Sequence, residues 1–68
     1  MKKTINNNIR ALRFAANEMS QAELGLRLGL TRQTIAAIEA NKYSPSLETA
    51  FKIADVFGLT IDAVFKWE

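Results

Sequence analysis

Ser20 to Glu39 reads SQAELGLRLGLTRQTIAAIE, and the fold is decided in this stretch. An apolar-patterned helix, a glycine-centred break of three residues and a second helix follow one another directly. Leu24, Leu28, Leu30, Ile35 and Ile38 occupy the places that must pack inward if the two helices cross. Gly25 stands at the crossing, where only a small residue fits, and Gly29 stands at the turn. All seven constrained positions hold suitable residues, which is the spacing of a helix-turn-helix over about residues 20–40.

The chain on either side is punctuated in the same way. Ser20 is placed as N-cap with Glu23 three residues on, a capping box, and Gly29 ends that helix in a left-handed conformation. Thr31 caps the next helix, which runs to about Ala40, with Asn41 as its left-handed terminator. Pro45 blocks continuation and Ser46 caps a fourth helix with Leu47, Ala50, Phe51, Ala54 and Phe57 as its apolar stripe, stopped by Gly58. Thr60 caps a short fifth helix around Ile61 to Val64. The first helix runs from about Asn8 to Asn17, with Ile9, Leu12 and Ala16 at helical spacing. Phe65-Lys66-Trp67-Glu68 alternates like a half-buried strand, and Lys3-Thr4-Ile5-Asn6 is its expected partner. A lone two-stranded ribbon is marginal in water, so this one must rest on the helices. The expected fold is all-α: five helices in one domain over residues 1–68, with a small antiparallel ribbon formed by the termini.

Composition narrows the chemistry. At 68 residues the chain is near the lower limit for independent folding, and it has neither Cys nor His. Disulfides and nearly all transition-metal chemistry are thereby removed, leaving helix packing and oligomerisation to supply stability. Apolar residues are periodic rather than continuous, and no secretory pattern follows Lys2 and Lys3, so a cytoplasmic protein with no membrane span is expected. The carboxylates are scattered singly and no glycine-rich phosphate loop exists, so no enzyme is expected and no cofactor. Net charge is +2, unevenly spread: +4 over residues 1–46 and −2 over residues 47–68. The basic part carries the helix pair, as expected of an end that meets phosphates; an ordinary solvated surface is the plainer reading.

A helix presented in this way enters the DNA major groove with its N-terminal residues on base edges. Arg32 matches the paired acceptors of guanine and Gln33 can pair with adenine. Ala36 and Ala37 either meet thymine methyls or simply let the backbone approach the groove. Gln21, at a helix N-terminus, is placed either to bond a phosphate or to brace Arg32 or Gln33. Thr31, Thr34, Lys42 and Tyr43 flank the second helix of the pair as backbone contacts; Thr31 also caps, and Tyr43 is alternatively a lid on the core. Arg13 and Glu39 lie next to the inward positions Leu12 and Ile38, and are either an ion pair or two unrelated surface charges.

These residues resemble the lambda-repressor/Cro-like family of bacterial and phage regulators, of the xenobiotic-response-element type. The similarity runs from about Ile9 to Trp67. It is greatest to the short stand-alone members of the cytolysin-repressor kind, on Thr31-Arg32-Gln33-Thr34-Ile35, Ile38-Glu39, Lys42-Tyr43 and Pro45-Ser46-Leu47. The resemblance implies a homodimer on double-stranded DNA at an operator of two-fold symmetry. It implies Arg32 and Gln33 as base readers, Gln21 and Lys42 as backbone contacts and Arg13–Glu39 as an internal ion pair. Ser44, Asp55, Phe57, Leu59 and Ile61 are implied as the dimer face. The chain departs from the family pattern in three places. Asn17-Glu18-Met19 carries an extra residue where many relatives have a short glycine-containing turn. Ala40-Asn41 stands where Asn-Gly is common, and Ala36 replaces a polar reader, so neither the asparagine–phosphate contact nor an operator sequence carries over. The function expected is sequence-specific DNA binding by a dimeric repressor with no small-molecule ligand. The alternative is an antitoxin-like protein-interaction module, which would show exposed apolar residues where Arg32, Gln33 and Thr34 stand.

Overall fold

Hydroxyl caps and left-handed residues cut the chain into short elements in the computed structural model, which describes residues 2–68. In order they are β1 (Ile5–Asn7), α1 (Ile9–Ala15), α2 (Gln21–Leu28), α3 (Arg32–Glu39), α4 (Leu47–Val56), α5 (Ile61–Val64) and β2 (Phe65–Trp67). Ser20, Thr31 and Ser46 lie in extended backbone, and each side-chain oxygen accepts the N–H three residues on, opening α2, α3 and α4. Gly29 after α2 and Asn41 after α3 turn left-handed, with φ of +71° and +59°.

One buried cluster holds the five helices together. Ile9 of α1, Leu24 of α2, Ile35 and Ile38 of α3, Ile53 of α4 and Val64 of α5 are almost wholly withdrawn from solvent, with Met19 and Ala54 among them. The termini pair as an antiparallel ribbon with Ile5 opposite Trp67, Asn6 opposite Lys66 and Asn7 opposite Phe65. Thr4 and Glu68 extend it by exchanging two backbone bonds of 3.1 and 3.0 Å. The ribbon is tied to α5 where Asn8 donates to the Val64 carbonyl at 3.1 Å. The architecture is therefore mostly helical with a two-stranded sheet, and a strict all-α label is too narrow. No helix among the described residues is long and apolar enough to cross a membrane.

Several elements differ from their sequence reading, each for a local reason. α1 ends at Ala15 rather than Asn17, because Asn17 and Glu18 both adopt left-handed backbone, φ +62° and +56°. The extra residue of that turn is absorbed there, and the Met19 N–H closes it onto the Arg13 carbonyl at 2.9 Å. The capping box at Ser20 is half made, since the Glu23 carboxylate turns to Arg27 at 2.7 Å instead of reaching back. On α4 the buried arc is Ala50, Ile53 and Ala54 with Phe57 half-buried, so the stripe is rotated: Ile53 joins it, while Leu47 and Phe51 stand 70% and 54% exposed. Thr60 holds the extended N-cap backbone before α5 but its hydroxyl caps no N–H. The neighbouring Thr60 hydroxyl, together with the Asp62 backbone N–H, keeps the Asp62 carboxyl below its usual range. The first strand lies at Ile5–Asn7, shifted from Lys3–Asn6.

Candidate nucleic-acid interface

The α2–α3 pair is set by one close approach. Gly25 is buried, and a Cβ built there would sit 2.6 Å from the Leu30 carbonyl oxygen. The Leu30 N–H bonds the Gly25 carbonyl at 2.8 Å, so the turn folds back directly onto the helix it leaves. Thr31 then opens α3: its Oγ1 accepts the Thr34 N–H at 3.1 Å and lies 2.9 Å from the Thr34 hydroxyl. Ile35 and Ile38 anchor the inner face of α3 in the core, which leaves Arg32 and Gln33 exposed on its first turn.

A polar junction fixes how α3 leans on the other helices. Arg13 reaches from α1 with Nε 2.6 Å from Glu39 Oε2 and Nη2 3.1 Å from Oε1, a two-pronged ion pair. Its third arm, Nη1, donates to the Met19 carbonyl at 2.8 Å. Gln21 Nε2 donates to Glu39 Oε1 at 3.1 Å, so the amide braces Glu39 and neither Arg32 nor Gln33. The Arg13 and Glu39 side chains are only 8% and 9% exposed. A buried guanidinium satisfied on all sides by α3 and by the turn before α2 defines one orientation of α3.

The outer surface gathers some of the sequence candidates and separates others. Gln33, Thr34, Ala37 and Tyr43 line one shallow depression with Leu30, and Tyr43 is 54% exposed, so its ring is no lid on the core. Ala36 is half-buried between the exposed first turn and the core face. Around the start of α2, Gln21 and Arg32 share a second depression with Arg10 and Phe14. Arg10 is not among the residues singled out from the sequence. It lies one helical turn before Arg13, with its guanidinium 5.5 Å from the Phe14 ring centroid, and that spacing was the available signal. The ion pairs among the described residues, Arg13–Glu39, Arg27–Glu23 and Lys52–Glu48, leave Arg10, Arg32 and Lys42 without a carboxylate partner.

Ser44, Asp55, Phe57, Leu59 and Ile61 do not fall in one hollow. Ile61 lines an apolar groove with Ile5, Leu47 and Trp67, whereas Phe57 and Leu59 line another with Leu12 and Ala16. Ser44 and Asp55 are exposed.

Comparison with known proteins agrees with this geometry. A helix-turn-helix family profile matches residues 9–64. An uncharacterized HTH-type transcriptional regulator of Methanocaldococcus jannaschii is 50% identical over 54 residues, 79% of this chain and 82% of that one. One from Bacillus subtilis is 44% identical over 61 residues, 90% of this chain and 91% of that one. The immunity repressor protein of Bacillus phage phi105 is 31% identical over 61 residues, 90% of this chain but 42% of its own longer one. A solved Bacteroides fragilis structure superposes with a TM-score of 0.80 at 22% identity, covering 93% of this chain and all of its own, a likeness of fold. The chain belongs to the lambda-repressor/Cro-like helix-turn-helix family of DNA-binding transcriptional regulators, which is not an enzyme family.

Proposed function

We propose that residues 1–68 act as one DNA-binding unit, a homodimeric repressor that covers promoter DNA at an operator of two-fold symmetry. α3 lies in the major groove. Arg32 and Gln33 read base edges, and the methyls of Ala36 and Ala37 face the groove floor. Thr31, Thr34, Lys42 and Tyr43 hold the sugar–phosphate backbone on either side. Gln21 joins them, since its Nε2 spends one hydrogen on Glu39 and keeps a second for a phosphate oxygen. The observation that carries this reading is the exposed first turn of α3, held at a fixed angle by the Arg13–Glu39–Gln21 junction. Base readout needs that rigidity, because a hydrogen-bonding pattern discriminates only when the donor and acceptor positions are fixed.

Selection of bound duplexes from random DNA tests the reading first, with an inverted repeat expected among the winners. Titrations of two variants against operator and scrambled DNA at several salt concentrations then separate the roles. Gln33→Ala should cost about 1–3 kcal/mol on the operator and relax preference at one position per half-site. Lys42→Ala should weaken both DNAs alike and lower the salt slope by about one unit for each phosphate no longer neutralised, about two for the dimer. An unchanged ratio of operator to scrambled affinity in Gln33→Ala would remove this residue from base reading and favour a protein-interaction role.

A further inference from the structure

Adjacent Asn6 and Asn7 of the terminal ribbon and Asn41, 34 positions beyond Asn7, form one hydrogen-bonded chain between the ribbon and the end of α3. Asn7 Oδ1 accepts the Ile9 N–H at 3.1 Å, while its Nδ2 donates to the Ile38 carbonyl and to Asn41 Oδ1, both at 3.0 Å. Asn41 Nδ2 donates to Asn6 Oδ1 at 3.2 Å, and Asn6 Nδ2 donates to the Glu68 carbonyl at 3.1 Å. Both amide hydrogens of Asn7 are spent on α3 and the residue that terminates it. Apart from the local Ile9–Asn7 bond, these bonds bridge 31 to 62 positions of sequence, so they are not local turn devices.

Asn41 occupies the left-handed position that ends α3, where its N–H bonds the Ile38 carbonyl at 3.0 Å and the Lys42 N–H bonds the Ala37 carbonyl at 2.9 Å. Glycine adopts that backbone at the least cost, so an asparagine there is favoured only when its side chain is used. Here it is used twice, toward Asn6 and toward Asn7. The Lys42-Tyr43-Ser44 segment that follows is exposed throughout. Its first residue is therefore placed by its own N–H bond to α3 and by what holds Asn41.

We infer that the Asn6–Asn7–Asn41 clasp is a positioning device for DNA binding, which locks the ribbon to the C-terminal end of α3 and so presents Lys42 to the phosphate backbone. The clasp's role rests on the proposed DNA-binding function. A lysine is a point charge on a long flexible stem, and its phosphate contact gains affinity when the backbone that carries it is already ordered. The clasp supplies that order without touching DNA.

The test uses the full chain and the operator recovered from random DNA. Asn41→Gly keeps the left-handed turn, adds no charge and deletes both side-chain bonds, so its Tm should stay close to that of the parent. Operator affinity should nevertheless fall about three- to tenfold, the size of one or two neutral hydrogen bonds, with a shallower salt slope. Made in the Lys42→Ala background, the same substitution should have little further effect. Amide hydrogen exchange at Lys42 and Tyr43 in free Asn41→Gly should be faster than in the parent, a readout independent of DNA. Asn6→Ala should act in the same direction and be non-additive with Asn41→Gly. Unchanged operator affinity, or a loss that persists in full without Lys42, overturns the clasp as a positioning device while leaving DNA binding intact. Failure of the parent itself to prefer any duplex sequence would overturn the functional reading, and the clasp's role with it.

Discussion

Arg13 and Gly25 show how single residues set the angle of α3 by opposite means, one by reaching and one by being small. Arg13 places a charge where water is scarce, and its cost is offset by Glu39 and the Met19 carbonyl. Arg13→Ala would strand the Glu39 carboxylate with only Gln21 beside it, so a stability loss of about 3–5 kcal/mol is expected in urea or thermal unfolding. A loss below about 1 kcal/mol would mean that water reaches the pair freely and that it braces nothing. Gly25→Ala is the converse case. In an open helix this change stabilises by about 1 kcal/mol, but here the new methyl would meet the Leu30 backbone oxygen at 2.6 Å. A net loss of about 1–3 kcal/mol is expected, together with weaker operator binding as α3 shifts. A neutral or stabilising Gly25→Ala would show that the two helices have room to part. Gly25 was legible in the sequence because its constraint is local to the motif. The internal pair of Arg13 and Glu39 was legible only through the family resemblance, since two charges 26 positions apart carry no periodic signal of their own.

Among the elements, α3 and α4 begin alike yet are expected to differ in purpose. Thr31 and Ser46 each accept the N–H three residues on at 3.1 Å, and each meets the hydroxyl of a threonine at that same spacing, at 2.9 and 3.0 Å. Their caps are structurally equivalent, so Thr31→Ala and Ser46→Ala should each lower stability by about 1 kcal/mol. Only Thr31→Ala should also weaken DNA binding at temperatures well below unfolding, because of these two helices α3 alone is proposed to meet the duplex. Equal affinities for the two variants would return Thr31 to a purely capping part. Three of the four hydroxyl caps read from residue type and spacing form, Thr60 being the exception, and the left-handed Gly29 and Asn41 were read in the same way. What local rules misplaced were choices between competing partners. Glu23 prefers Arg27 to the backbone of Ser20, and the α4 stripe turns toward Ile53 because the core receives that face. The left-handed pair Asn17–Glu18 was likewise hidden, since neither residue is a glycine and the turn is closed from outside by the Arg13 carbonyl.

For the molecule as a whole, the apolar surface exceeds what this core can cover. Leu47 is 70% exposed, Trp67 64% and Ile5 41%, and all three line the groove that Ile61 enters. Aromatic and branched side chains left in water on one face of a small protein mark a surface that another protein covers. A chain of 68 residues also gains most from sharing its core, because so much of its surface stays wet when it is alone. A second copy related by two-fold symmetry would satisfy both, and would set the two α3 helices about 34 Å apart, one turn of DNA, to meet the half-sites of a palindrome. The homodimer is therefore expected in sedimentation at tens of micromolar. The two hollows make the location testable. Ile61→Glu disrupts the groove of Leu47 and Trp67, whereas Leu59→Glu disrupts the one shared with Leu12 and Phe57. If Ile61 lies at the interface, its glutamate variant should sediment as a monomer, bind operator with affinity lowered at least tenfold, and protect one half-site at a time. Leu59→Glu as the dissociating variant would move the interface to the other face. Parent protein that stays monomeric both free and on DNA would leave the apolar groove to a different partner and remove two-fold symmetry from the operator.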